Sequence, residues 1–580
     1  MAITAEKACK ASQIMNLLFA TGMMFFPTKM MEGYKAGTFK GDGNTFFLFA
    51  MGIFGLSIMG AAVTNSTMMR PSASKKAQGV QCLANCMYWT MFLLSDGSKA
   101  VSGSMPKAFS GDALPQIYGN LGLFAVLAVV NYMGWTSAGS PMPDTSNLVP
   151  SGALKTTLIA NFVNLGFFGI GCKFFTETFI DMYVPGVVAG INKGSPDAME
   201  AIYLIMSNAG MCMLMNIVSA LMVLAAEPGN ADTNYRIQRA WLYTNFVYLG
   251  MLSRENVVAA ATGWPQPMFV ATFVQSFAVT FFSATALGAY PIKMFYPFYN
   301  SGFCFFPEKM MEAYKGDTFS GDGKTLFIYF IGMMGTMIGH AAMVNATMRL
   351  PTAKKAARGV CCLGNAVAWT FFIILDGQLT FNLRIPGMIN DLPSALPKDG
   401  MIANLVVFAV IVGVNYLGWK EAGSPMPDTS SLVPSGILAT PLKLIIVDAL
   451  FWGVGACFAP SMMMDQYLPG AMGKAGKAQD MIWMILERIG FQSLLSTIHT
   501  IMTLAAVPGD ADTNYRITRS YVYRNMFFLG YISRDNVIKS CTGWSFPLQA
   551  TNFFQAMGIT FYAASQLGAI GITIKKGKSA

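Results

Sequence analysis

The stretch FFPTKMMEGY, residues 25–34, ends an apolar run and returns nearly unchanged as FFPEKMMEAY, residues 305–314. Two weaker copies also follow apolar runs, one leading from Thr176 to Tyr183 and the other from Pro460 to Tyr467. Similarity at a regular spacing is typical of a repeated structural unit. The chain is therefore predicted to contain four related units, arranged as two similar halves.

The composition indicates a membrane protein. Of the 580 residues, 54% are hydrophobic and only 12% are charged, against roughly 25% charged in soluble domains. Apolar runs recur, each close to the roughly 20 residues that cross a bilayer as a helix. We predict an all-α polytopic protein of about 16 transmembrane helices, four in each unit. The predicted units are residues 1–150, 151–290, 291–435 and 436–580.

The distribution of charge predicts an orientation. An even number of spans gives all four units the same direction in the membrane. Loops rich in Lys and Arg then lie on the face that carries both termini, which is predicted to be cytoplasmic or its organellar equivalent. The net charge of +10 comes from these loops rather than from one basic surface, so we do not expect the chain to bind nucleic acid. The expected partners are the lipid bilayer and, as candidates, other membrane subunits.

Two sets of polar residues recur in the units. Asparagines early in the third helices are expected to hydrogen-bond to neighbouring helices, or alternatively to ring a pore. Prolines and tyrosines of the opening stretch are expected to form a structural turn at the membrane surface, with the tyrosine hydroxyls in water. The asparagines are Asn85, Asn245, Asn365 and Asn525, and the turn residues are Pro27, Tyr34, Tyr183, Pro307, Tyr314, Pro460 and Tyr467.

The fourth unit departs from the repeat by carrying ionisable residues. Asp448 stands where the second unit has Asn164. A polar helix face follows at helical spacing, and we expect Asp448 to approach His499 at similar depth. This cluster is either a proton- or solute-binding site or a structural ion pair. The face consists of Arg488, Gln492, Ser496 and His499, with Glu487 beside it.

Catalytic and metal-binding motifs are missing from the sequence. It contains two His and no paired Cys spacing of a zinc site, and no phosphate-binding or nucleophile motif. We therefore expect a non-enzymatic structural or assembly component of a larger membrane complex. A transporter or channel for a small solute or protons is the first alternative, and a pigment- or quinone-associated subunit is the second. The sequence leaves the cofactor, if any, unidentified.

Overall fold

The computed structural model describes residues 3–290, 302–313, 318–386 and 388–568. These residues form helices and turns, with no strand among them, which confirms the all-helical prediction. The helices of seven residues or more are α1 (Ala5–Phe25), α2 (Pro27–Gly33), α3 (Gly41–Met68), α4 (Lys75–Ser102), α5 (Leu114–Ser137), α6 (Lys155–Phe174), α7 (Thr176–Tyr183), α8 (Val187–Gly194), α9 (Pro196–Ala226), α10 (Ala231–Ser253), α11 (Glu255–Thr262), α12 (Phe269–Ala286), α13 (Pro307–Ala313), α14 (Gly321–Met348), α15 (Lys355–Phe381), α16 (Lys398–Glu421), α17 (Ala439–Phe458), α18 (Pro460–Tyr467), α19 (Gln479–Ala505), α20 (Ala511–Ser533), α21 (Asp535–Thr542) and α22 (Gln549–Gln566).

Nine helices in the described part of the chain are long and apolar enough to cross a membrane. The chain thus has the helix lengths and composition of an integral membrane protein. Other long helices, such as α10 and α20, are more polar and fall outside this set, so the prediction of sixteen spans is not confirmed. The nine helices are α3, α5, α6, α9, α12, α14, α15, α16 and α17.

The apolar helices divide into inner and outer ones. The most apolar 18-residue window is 83% buried in α3 but only 11% buried in α16. Outer helices expose large apolar side chains, such as Val410 at 61% and Leu417 at 66% in α16. A contiguous apolar exterior of this kind suits contact with lipid. The polar residues of the inner helices are therefore surrounded by protein rather than by lipid.

Two inner helices, α10 and α20, meet backbone to backbone. A Cβ atom added at Gly250 would lie 1.9 Å from the carbonyl oxygen of Phe527. A Cβ atom added at Gly530 would lie 1.8 Å from that of Val247. Only glycine fits at these two positions, because any side chain would collide with the backbone of the opposite helix.

Reciprocal ion pairs join the two halves just beyond this crossing. A nitrogen of Arg254 lies 3.3 Å from the carboxylate of Asp535, and a nitrogen of Arg534 lies 3.1 Å from that of Glu255. Both arginine side chains are almost completely buried. Each half therefore neutralises a buried arginine of the other half, an arrangement that is costly to break.

The repeated proline stretch forms a short helix after a break, not the turn expected from the sequence. Pro27, Pro307 and Pro460 are the first residues of α2, α13 and α18. Proline suits a first helical position, because the N–H group that it lacks would have no partner inside the helix. The weaker copy forms α7 in the same way, starting at Thr176.

Candidate functional site

Two oppositely charged side chains line one cavity in the second half. Asp448 lies at the middle of α17 and Arg524 at the middle of α20, and the cavity that both line measures about 100 Å³. We call it the Asp448 cavity. The two charges attract each other, yet no ion pair within 4.0 Å joins them. Buried charges without a close ion pair are expensive, which makes this cavity the leading candidate site.

Neutral side chains hold the two charges in place. Gln555 of α22 donates a hydrogen bond to the carboxylate of Asp448. The guanidinium of Arg524 donates to Oδ1 of Asn525 at 3.0 Å and to Sδ of Met337 at 3.3 Å. Both charged groups are thus positioned by partners that do not neutralise them.

Two polar atoms at the Asp448 cavity have no hydrogen-bond partner among the described residues. They are Nε of Arg524 and Oδ1 of Asn552, and both are buried. The Asn552 side chain lines the cavity and is only 5% exposed. A buried polar atom without a partner costs about 1–3 kcal/mol. A solute that offers a donor to Asn552 and an acceptor to Arg524 would remove this cost.

The first half contains a related cavity with neutral side chains in place of Asp448 and Arg524, although the paired Glu255 and Arg534 also line it. Asn164 accepts a hydrogen bond from Gln275 at 2.7 Å, as Asp448 accepts one from its own glutamine. This Asn164 cavity measures about 170 Å³ and is lined by Thr244, which precedes Arg524 by 280 residues. The second half therefore has an acid and a base where the first half has an amide and a hydroxyl.

Arg488, predicted as part of an ionisable helix face, belongs to a separate cluster. Its guanidinium lies 3.0 Å from Asp376 and 2.6 Å from Glu487. It also donates to the carbonyl oxygen of Leu375 at 3.0 Å. Because two carboxylates neutralise this arginine, the cluster supports the interpretation of a structural ion pair.

The remaining residues of the predicted face have other partners. Gln492 donates to Oγ of Ser496 at 2.9 Å. Nε2 of His499 lies 3.1 Å from Sγ of Cys361 in α15. The expected contact between His499 and Asp448 does not form, because α15 covers the histidine ring and Asp448 lines its own cavity. The candidate site predicted from the sequence is thus divided among separate places.

The repeated asparagines bond to neighbouring polar side chains. In three of the four cases the partner lies on a different helix, which supports their interpretation as interhelical contacts. The partners are Asn65 and Asn131 for Asn85, Asn161 for Asn245, Asn345 for Asn365, and Arg524 for Asn525.

The repeated tyrosines lie at cavities. Tyr183 lines the Asn164 cavity and Tyr467 lines the Asp448 cavity. Tyr34, at the end of α2, accepts a hydrogen bond from Asn120 beside a further cavity. The Tyr183 hydroxyl is buried without a partner among the described residues, so the expectation of a hydroxyl in water is wrong there. Tyr314 lies outside the described residues.

Sequence reasoning missed three residues of the Asp448 cavity, namely Arg524, Asn552 and Gln555. Arg524 stands beside the repeated Asn525. Its counterpart Thr244 is neutral, so an alignment of the halves contained a signal for it. The sequence does not predict that α17, α20 and α22 lie close together.

No group of three or more His, Cys, Asp or Glu residues in the described ranges is placed to hold a metal ion. Comparison of the chain with protein-family models, curated proteins and solved structures finds no match.

Proposed function

We propose that the chain is a non-enzymatic membrane transporter for a small polar solute. The observation that carries this proposal is the Asp448 cavity, in which Asp448 and Arg524 approach the same space without pairing. Ionisable residues inside membrane segments commonly mark solute or ion pathways. A cavity with mostly apolar walls and a few convergent polar groups is the usual form of a small-molecule site.

Interrupted helices support this proposal. The long helices α1, α6 and α17 each stop one residue before a short helix, at Phe26, Phe175 and Ala459. Transporters build their solute sites from discontinuous helices, whose half-helix ends and unwound backbone carbonyls contact the solute and its coupling ions. The break after α17 leads through α18 to Tyr467, which lines the Asp448 cavity.

We also propose that the chain is built from the four parallel four-helix units predicted from the sequence. Matching hydrogen bonds support the similarity of the two halves within this organisation. Arg236 donates to the carbonyl oxygen of Thr67 at 3.0 Å, and Arg516 donates to that of Thr347 at 3.2 Å. The spacing within the two pairs is identical. The basic loops and both termini are then assigned to the cytoplasmic face or its equivalent.

A flux assay separates transport from the two other roles expected from the sequence. The full chain would be purified alone and reconstituted in liposomes loaded with radiolabelled amino acids, amines, organic acids or sugars. We expect protein-dependent release of at least one class. No release of any class would refute transport. A separate purification from the native membrane that brings down stable partners or a pigment would then favour the assembly or pigment-associated role.

A further inference from the structure

We propose that the Asp448 cavity binds a small zwitterion, with the cationic group of the solute at Asp448 and the anionic group at Arg524. This inference rests on the proposed transport function and specifies its substrate class. Small amino acids carry one cationic and one anionic group and belong to this class. The site is formed by α17, α20 and α22, together with side chains of α14, α18 and α19.

The arrangement of charge excludes simpler solutes. A cation at Asp448 would leave Arg524 without a counter-ion, and an anion at Arg524 would leave Asp448 without one. Both cases keep one uncompensated charge in a mainly apolar space, which is unfavourable at low dielectric constant. A zwitterion supplies both counter-charges and leaves the net charge of the cavity unchanged.

The unsatisfied atoms have the polarity that a zwitterion needs. Oδ1 of Asn552 is an acceptor that an ammonium group can satisfy alongside the carboxylate of Asp448. The unpartnered Nε–H of Arg524 is a donor for a carboxylate. Arginine can present two parallel donors to one carboxylate, which gives such a contact both strength and direction.

The size of the cavity favours a short molecule. Its volume of about 100 Å³ is several times the roughly 10–15 Å³ that one water molecule requires. Trp452, Phe528 and Met333 contribute apolar surface to the lining. A solute with its two charges a few bonds apart and a small apolar side chain fits these limits.

The first half provides an internal reference. The Asn164 cavity keeps the same glutamine contact but has neutral Asn164 and Thr244 in place of the two charges. Both positions therefore differ in charge between the halves: Asp448 adds a negative charge and Arg524 adds a positive one. Such a paired difference is what recognition of two opposite charges on one solute requires.

Binding of charge-matched probes tests the proposal. Purified full-length protein in detergent would be titrated calorimetrically with glycine, L-alanine, β-alanine and γ-aminobutyrate. L-lactate, isopropylamine and lactamide serve as anionic, cationic and neutral analogues of alanine. We expect at least one zwitterion to bind at least tenfold more tightly than the three analogues. Equal binding of an analogue, or no binding of any zwitterion, would overturn the proposal.

Variants locate the binding at this cavity. Asp448→Asn and Arg524→Thr introduce the side chains that the first half already uses, and each should weaken zwitterion binding at least tenfold. Asp448→Glu keeps the charge and should weaken binding less than Asp448→Asn. Asn164→Ala alters only the other cavity and should leave binding unchanged. Binding that survives both charge-removing variants would refute the assignment, and gel filtration confirms that each variant is folded.

The two proposals can fail separately. If the protein transports another solute but binds no zwitterion, the substrate class is wrong and transport stands. If a zwitterion binds at Asp448 but no labelled solute crosses the liposome membrane, the binding site stands and transport is wrong.

Discussion

The crossing of α10 and α20 makes a quantitative prediction for Gly250→Ala and Gly530→Ala. The new methyl groups would lie 1.9 Å and 1.8 Å from backbone oxygens, whereas ordinary contact starts at 3.4 Å. The helices would have to separate by about 1.5 Å, and a gap of only about 0.5–1 Å already loses a quarter to a half of a dispersion contact. We expect each variant to lose about 3 kcal/mol, the upper end for overpacking, because a backbone cannot move aside as a side chain can.

Thermal unfolding of the purified chain in detergent measures this loss. With an unfolding entropy of about 2.1 cal/mol/K per residue, about 3 kcal/mol corresponds to a decrease of about 2 to 3 °C in melting temperature. Gly413→Ala is the matched control, because a Cβ atom there meets no heavy atom within 4 Å. If Gly250→Ala and Gly530→Ala melt at the temperature of this control, the close crossing is refuted.

Three further predictions concern buried bonds and pH. Asp535→Asn should cost about 3–5 kcal/mol in the same unfolding assay, because Arg254 loses its carboxylate, and Arg254→Met combined with Asp535→Leu should recover most of the loss. Asn85→Leu should cost about 1–2 kcal/mol of unfolding free energy without changing solute flux, because the Asn85 amide bonds to two other helices. Loss of flux at unchanged stability would instead favour a pore-lining role. At the start of α20, burial alone would raise the pKa of Asp510, but hydrogen bonds from Lys354 and Thr513 lower it below its usual value. Asp510→Asn should therefore melt below the native chain at pH 7, and the difference should shrink as the pH falls below about 4 and through the lowered pKa of the native carboxyl. A difference that stays constant from pH 7 down to the lowest pH at which the chain remains folded would contradict this reasoning.

Much of the fold follows from local sequence. Apolar runs predict the helices because their length and composition depend on neighbouring residues alone. Pro27 and its counterparts predict an interruption, since proline cannot continue a helix. The sequence does not distinguish an interfacial turn from the short helix α2. The conformation of this segment depends on which other helices pack against it.

The candidate site was predicted only in part. The sequence points to Asp448 because it interrupts a repeat of neutral residues. Its relation to Arg524 depends on the relative rotation of α17 and α20, which packing determines and helical spacing cannot reveal. The sequence predicts Arg488 at the same site, but Glu487 and Asp376, the latter more than 100 residues earlier in the chain, neutralise it instead. Long-range ion pairs of this kind decide whether a buried charged residue has a structural role or can bind a solute.

The exchange of arginines between the halves has a consequence for the origin of the chain. Arg254 reaches an acid of the second half, and Arg534 reaches an acid of the first. A single ancestral half carrying the same arginine and acid would have found both partners in a second copy of itself. Gene fusion would then have preserved an old homodimer contact inside one polypeptide and freed the two copies to diverge, and Asp448 and Arg524 now stand in only one of them.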